Sequence, residues 1–68
     1  MKPLVLWCRW HDATLRLFGR DEAAVWGELV FAEKTEPYHF DLQSWELTIG
    51  EGADRRTMTL DEMGVELP

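Results

Sequence analysis

The sequence predicts an all-β fold: a small antiparallel meander of five to six strands. Short apolar segments follow one another along the 68 residues, and turn residues such as Gly, Pro and Asp separate them. Most of these segments alternate between apolar and polar residues, which is typical of strands with one buried side. No repeat, linker or low-complexity stretch divides the chain, so residues 1–68 form one domain. We expect a sheet that stays open, curls, or closes into a small barrel.

The first two segments predict an N-terminal β-hairpin. Residues 3–10 are rich in Val, Leu and Trp, which favours a strand. His11 and Asp12 break the apolar pattern, and residues 13–17 then alternate, with Ala13, Leu15 and Leu17 on one side. The hairpin ends at the polar turn that begins with Gly19.

Residues 21–34 fit either a strand or a helix. A helix has Asp21 as its N-cap, acidic residues in its first turn and Pro37 just beyond its end. Against a helix, Gly27 would cost about 1 kcal/mol in its interior. The β-branched and aromatic residues around Gly27 also fit a pleated sheet better. We predict a strand and keep the α+β fold, with one helix at 21–34, as the alternative.

The remainder of the chain predicts three more short strands and an edge piece. The strands cover residues 38–41, 45–49 and 55–60, and each alternates between apolar and polar positions. Asp41 begins a predicted type I turn, and a loop containing Gly50 and Gly52 connects the next two strands. Residues 65–68 add a short edge segment that Pro68 closes.

The charge of the chain is acidic and unevenly distributed. The net charge is −6, with seven basic and thirteen acidic residues. Residues 1–20 carry four basic residues and one acidic residue, whereas residues 21–68 carry three basic and twelve acidic ones. Because a net negative charge repels a phosphate backbone, nucleic acid is a disfavoured partner. The acidic part instead suits contact with a basic protein.

No group of residues indicates catalysis, a metal site or a cofactor. Cys8 lies in an apolar segment, where thiols are typically buried and unreactive, and Ser44 lacks the glycines of a nucleophile elbow. A zinc site needs three or four converging ligands, more than either His-Asp pairing offers. These pairings are His11 with Asp12 and His39 with Asp41. A domain this short also rarely has room for a ligand pocket of about 300 Å³. We expect no enzymatic activity and no cofactor.

The four tryptophans are the most informative residues for function. Trp7 and Trp10 are three positions apart, so on a strand they point to opposite sides. If residues 21–34 form a strand, Trp26 lies opposite the side that carries Val25 and Leu29. Exposed tryptophans beside polar residues are favoured contact residues between proteins. The residues that we expect to bind a partner are Trp10, Trp26, Glu28 and Glu46.

These observations favour a small acidic protein-binding module, of the inhibitor or immunity type, that occludes a surface of its partner. The first alternative is a self-associating structural domain with an aromatic homodimer interface. The second is a binder of small ligands or nucleic acid that uses Arg9, Arg16 and Arg20 beside Trp7 and Trp10. With no membrane-length apolar run and no secretory leader, we expect a cytoplasmic protein without a membrane partner. The preference for Arg over Lys is typical of a GC-rich bacterial genome.

Overall fold

The chain folds as one helix followed by five strands. We describe a computed structural model that covers residues 1–68. The helix is α1 (Lys2–Trp10), and a short 3-10 turn, Gly52–Asp54, connects the last two strands. The strands are β1 (Thr14–Arg20), β2 (Ala24–Val30), β3 (Thr35–Asp41), β4 (Glu46–Ile49) and β5 (Arg56–Thr59).

The predicted antiparallel meander is confirmed. The five strands form one sheet in the order β1-β2-β3-β4-β5, and every neighbouring pair is antiparallel. β1 and β5 are its two edges and do not pair with each other, so the sheet is open and not a closed barrel. β2 occupies the centre of residues 21–34, and the alternative helix does not form there. The C-terminal edge piece is a single bridge between Leu60 and Glu66.

The prediction of a strand at residues 3–10 is wrong, because this segment forms α1. Leu4, Trp7 and Cys8 are buried at the spacing of one helix face. Pro3 suits the first turn of a helix, where its missing N–H has no partner to lose. The segment is a helix because the apolar side of an open sheet needs a cover. The predicted N-terminal hairpin is therefore a helix followed by an edge strand.

The sheet curls at β1 and β2. Gly27 of β2 is buried, and a Cβ atom placed on it would overlap the main-chain carbonyl oxygen of Arg16 in β1. The pairing register also shifts between Leu17 and Gly19, which leaves Phe18 as an extra residue in a β-bulge. Bulges bend a strand and increase its twist. Together, the glycine and the bulge turn β1 toward the side of the sheet that α1 covers.

The hydrophobic core lies between α1 and one side of the sheet. The helix contributes one face, each of the strands β2, β3 and β4 contributes alternating residues, and the segment after β5 contributes one leucine. The ten core residues are Leu4, Trp7, Cys8, Val25, Leu29, Tyr38, Phe40, Leu47, Ile49 and Leu60. Because alternating strand residues point to opposite sides, the other side of the sheet carries none of these ten residues, and the buried residue of β2 on that side is Ala24.

Three aspartates at intervals of twenty residues fix the turns at one end of the sheet. Each uses one carboxylate oxygen, Oδ1, to accept hydrogen bonds from two backbone N–H groups that follow it. Asp21 accepts from Ala23 and Ala24 at 2.8 and 2.9 Å, and Asp41 accepts from Gln43 and Ser44 at the same two distances. Asp61 accepts from Met63 and Val65 at 2.8 and 3.0 Å. Aspartate is favoured at such turns because its side chain replaces a missing backbone acceptor.

We expect Asp41→Ala to destabilise the fold at neutral pH but not in strong acid. The backbone N–H groups of Ser44 and Gln43 lower the pKa of the Asp41 carboxyl below its usual value. The stabilisation is therefore complete above the unfolded-chain pKa of about 3.9 and is lost as the pH falls through the lower pKa of the folded state. Urea midpoints of both proteins should differ at pH 7 and converge in acid. Asp54→Ala is the matched control, because Asp54 makes no side-chain hydrogen bond, and a pH-independent difference for Asp41→Ala would contradict the assignment.

Candidate functional site

One side of the sheet is not covered by α1. We call this the open face, and its outward residues include Arg16, Phe18, Trp26, Glu28, His39, Glu46, Thr48 and Thr57. Trp26, His39, Thr48 and Thr57 form a row across four strands, and the two threonine hydroxyls lie 3.1 Å apart. The open face is therefore a mixed aromatic and polar surface with its side chains directed outward.

Trp26 is the largest side chain of the open face. It is paired across the strands with Gly19, and a Cβ atom on that glycine would lie 2.6 Å from the Trp26 indole. The indole thus packs flat on the bare backbone of β1, an arrangement in which an aromatic residue compensates for a glycine in a neighbouring strand. The side chain stays 38% exposed. Trp26 is therefore both held in place and open to contact.

Phe18 and Arg16 extend the aromatic surface toward the edge of the sheet. Phe18 is 62% exposed, and the Arg16 guanidinium lies over its ring, 5.9 Å from the centroid. The same guanidinium is 3.6 Å from a carboxylate oxygen of Glu28. Glu28 therefore has a partner within the chain, although exposed pairs of this kind contribute only about 0–1 kcal/mol.

Four acidic residues lie at the end of the open face where the β1–β2 and β3–β4 turns meet. We call this group the acidic end; its members are Asp21, Glu22, Asp41 and Glu46. None of them forms a salt bridge, since the three ion pairs of the protein involve Glu28, Glu36 and Glu66. Asp21 and Asp41 each accept backbone N–H groups of the turn that follows them. This end of the sheet consequently carries four carboxylates that form no salt bridge.

Trp10 lies on a different surface from Trp26. It is in the last turn of α1, on the opposite side of the sheet, and is 67% exposed. Its indole N–H donates to the carbonyl oxygen of Met63 at 3.1 Å, and with Leu6, Arg9 and Met63 it lines a shallow cleft of about 300 Å³. The structure thus brings Trp26, Glu28 and Glu46 together on the open face and separates Trp10 from them.

Phe18 belongs to the open face but was not among the sequence-predicted contact residues. The alternation of residues 13–17 ends at Leu17, and an aromatic residue directly after an inward leucine breaks the period of two. Two adjacent apolar residues before a glycine fit a β-bulge, in which two residues of one strand oppose one residue of its partner. The signal is present in the sequence, but it is also compatible with the end of the strand.

The residues with chemical reactivity do not assemble around a shared cavity. Cys8 lies on the buried face of α1, and burial raises the pKa of its thiol to about 11, so little nucleophilic thiolate exists near neutral pH. His11 stacks on Trp7 with ring centroids 4.0 Å apart, and its Nε2 lies 3.4 Å from a Glu66 oxygen. His39 lies across the sheet, on the open face. No three His, Cys, Asp or Glu side chains come together as a set of metal ligands.

Comparisons with known proteins give no relative for this chain. No protein-family model matches the sequence, and neither a curated protein nor a solved structure matches it. The one α-helix has nine residues, and no helix is long and apolar enough to span a bilayer.

Proposed function

We propose that the protein is a binding module that covers a positively charged surface of a protein partner with its open face. The observation that carries this proposal is the position of Trp26, which lies on the uncovered side of the sheet near four acidic residues that form no salt bridge. The activity would be occlusion, which requires a complementary surface and no catalytic group.

Trp26 is suited to act as the anchor of such a contact. Tryptophan is enriched among the residues that dominate binding energies, because it buries a large area and orders few torsions. Packing against Gly19 already restricts the indole in the free protein. A preorganised side chain loses little conformational entropy on binding, so more of its contact energy appears as affinity.

The acidic end supports a basic partner over other classes. Unpaired surface charges of one sign speed the encounter with an oppositely charged protein and reject proteins of the same sign. Nucleic acid fits poorly, because four carboxylates would face phosphates. The single cysteine, free and buried, is compatible with the reducing cytoplasm that we propose as the compartment.

The test compares four purified baits in lysate of the host: the wild-type chain, Trp26→Ala, Glu46→Lys and Trp10→Ala. We expect one basic protein to be retained by the wild type and by Trp10→Ala. With that protein purified, Trp26→Ala should bind about 10- to 30-fold more weakly by titration calorimetry, the cost of losing a hot-spot residue. Glu46→Lys should weaken binding mainly at low salt, because salt screens surface charges.

Stability must be measured alongside affinity, because Trp26→Ala also uncovers the backbone at Gly19. Trp26→Phe keeps a ring over this glycine and should recover part of the affinity. If Trp26→Ala binds the partner with unchanged affinity, Trp26 is not the anchor of the contact. Baits that retain only untagged copies of this chain, with a mass in solution of twice 8.0 kDa, would instead support the self-associating domain.

A further inference from the structure

The two edges of the sheet differ in how they are protected. β5 is only four residues long, and the C-terminal segment pairs with its end. Leu60 and Glu66 form a β-bridge, and the Leu67 N–H donates to the carbonyl oxygen of Thr59 at 2.8 Å. β1 is seven residues long, five of them exposed, and no strand pairs with its outer edge. An unpaired edge presents free backbone N–H and C=O groups that can receive another strand.

The edge strand β1 has apolar residues at its centre and an arginine toward each end. Its charged residues are Arg16 and Arg20, and it has no acidic residue. Between the arginines lie Leu17 and Phe18, which are 48% and 62% exposed. The pairing register places Leu17 and Arg20 on the helix side of the sheet, opposite Gly27 and Val25, and Arg16 on the open face. An added strand would therefore meet apolar side chains at its centre and positive charges toward its ends.

We propose that the edge of β1 binds an extended acidic peptide segment, which adds to the sheet as a sixth strand. Backbone hydrogen bonds would supply affinity, and the side chains of alternate positions would supply specificity, as in other strand-addition complexes. The complementary segment has apolar residues at its centre, opposite Leu17 and Phe18, and acidic residues opposite Arg16 and Arg20. The edge shares Arg16 and Phe18 with the open face, but its backbone hydrogen bonds are not part of the proposed function. Trp26→Ala tests the proposed function and the methylated peptide tests the edge, so either proposal can fail without the other.

Charge decides between this occupant and a second copy of the chain. Two β1 strands paired about a twofold axis would bring the two Arg16 side chains to the open face of one seam and the two Arg20 side chains to its helix side, whereas an acidic segment places a carboxylate opposite each arginine. The Arg16–Glu28 pair does not prevent this, because its atoms are exposed and 3.6 Å apart. Arg16 can therefore exchange Glu28 for a carboxylate of the incoming strand at little cost.

The test uses three synthetic peptides with the same β-branched centre. One has glutamates at both ends, one has lysines, and the third repeats the glutamate peptide with alternate backbone nitrogens methylated. We expect the glutamate peptide to bind and to protect β1 amides from hydrogen exchange. Arg16→Glu with Arg20→Glu should lower its affinity at least about tenfold and transfer the preference to the lysine peptide. Arg55→Glu with Arg56→Glu is the matched control, because both arginines are exposed, form no salt bridge and lie at the other edge of the sheet.

Each remaining outcome overturns the proposal. Equal binding of the methylated peptide would show charge attraction without strand pairing. Binding of neither charged peptide, with folded protein confirmed by circular dichroism, would show that the edge accepts no such segment. Protection of β1 by self-association, seen as a doubled mass, would assign the edge to a second copy of the chain.

Discussion

Gly27→Ala should abolish or nearly abolish the folded state. A Cβ atom at this position overlaps the carbonyl oxygen of Arg16 and lies 3.0 Å from the backbone nitrogen of Phe18. Both obstacles are main-chain atoms of the paired strand, so no side-chain rotation relieves them. Overpacking of a well-packed site, backbone shifts included, typically costs about 1–3 kcal/mol and occasionally more. A chain of this length has a total stability of about 3–10 kcal/mol.

The measurement is a urea titration followed by circular dichroism, with Gly19→Ala as the control. A Cβ atom on Gly19 would meet only the Trp26 side chain, at 2.6 Å, and that indole can move away into solvent. We expect Gly19→Ala to fold with a modest loss of stability and a changed Trp26 environment. If Gly27→Ala unfolds at nearly the wild-type urea concentration, the close approach of β1 to β2 is not a requirement of the fold.

The segment around Gly27 shows why the strands can be predicted from neighbouring residues alone. Gly27 disfavours a helix, and the β-branched and aromatic residues around it favour a strand. Alternation then placed Trp26 and Glu28 together, opposite Val25 and Leu29, as the structure has them. Alternation is a local property, so it can be read without knowing which strands are neighbours. The curl depends on the contact between Gly27 and β1, which a local pattern does not contain.

The sequence does not predict α1, because the interaction that selects this helix is also between segments distant in the chain. Residues 3–8 are continuously apolar, and an unbroken apolar run shows neither the period of a strand nor that of a helix. What selects the helix is tertiary: it fills the inner side of a sheet whose strands already pair in sequence order. The separation of Trp10 from Trp26 follows from the same event. Once α1 lies on the inner side, a residue in its last turn cannot reach the open face.

Trp7→Ala should be as damaging as any single truncation in the core. Trp7 is 1% exposed, its ring stacks on His11, and it meets Phe31 edge-on at 6.4 Å between centroids. Its indole N–H also donates to Glu66 at 3.2 Å, which ties α1 to the C-terminal segment. Removing a buried aromatic side chain costs about 3–5 kcal/mol. That loss is comparable with the whole stability expected for 68 residues.

Because α1 has only nine residues, the helix and the sheet should unfold together in Trp7→Ala. An isolated helix shorter than about 12 residues is marginal in water, so α1 depends on its contact with the sheet. Trp7→Ala should therefore lose helical signal and sheet signal in one transition at low urea. Trp10→Ala removes the same side chain three residues later, where it is exposed, and should cost less than about 1 kcal/mol. Trp7→Phe, which keeps a ring but loses the bond to Glu66, should fall between them. A Trp7→Ala protein that loses only the helix while the sheet melts as in the wild type would show that the five strands fold without their cover.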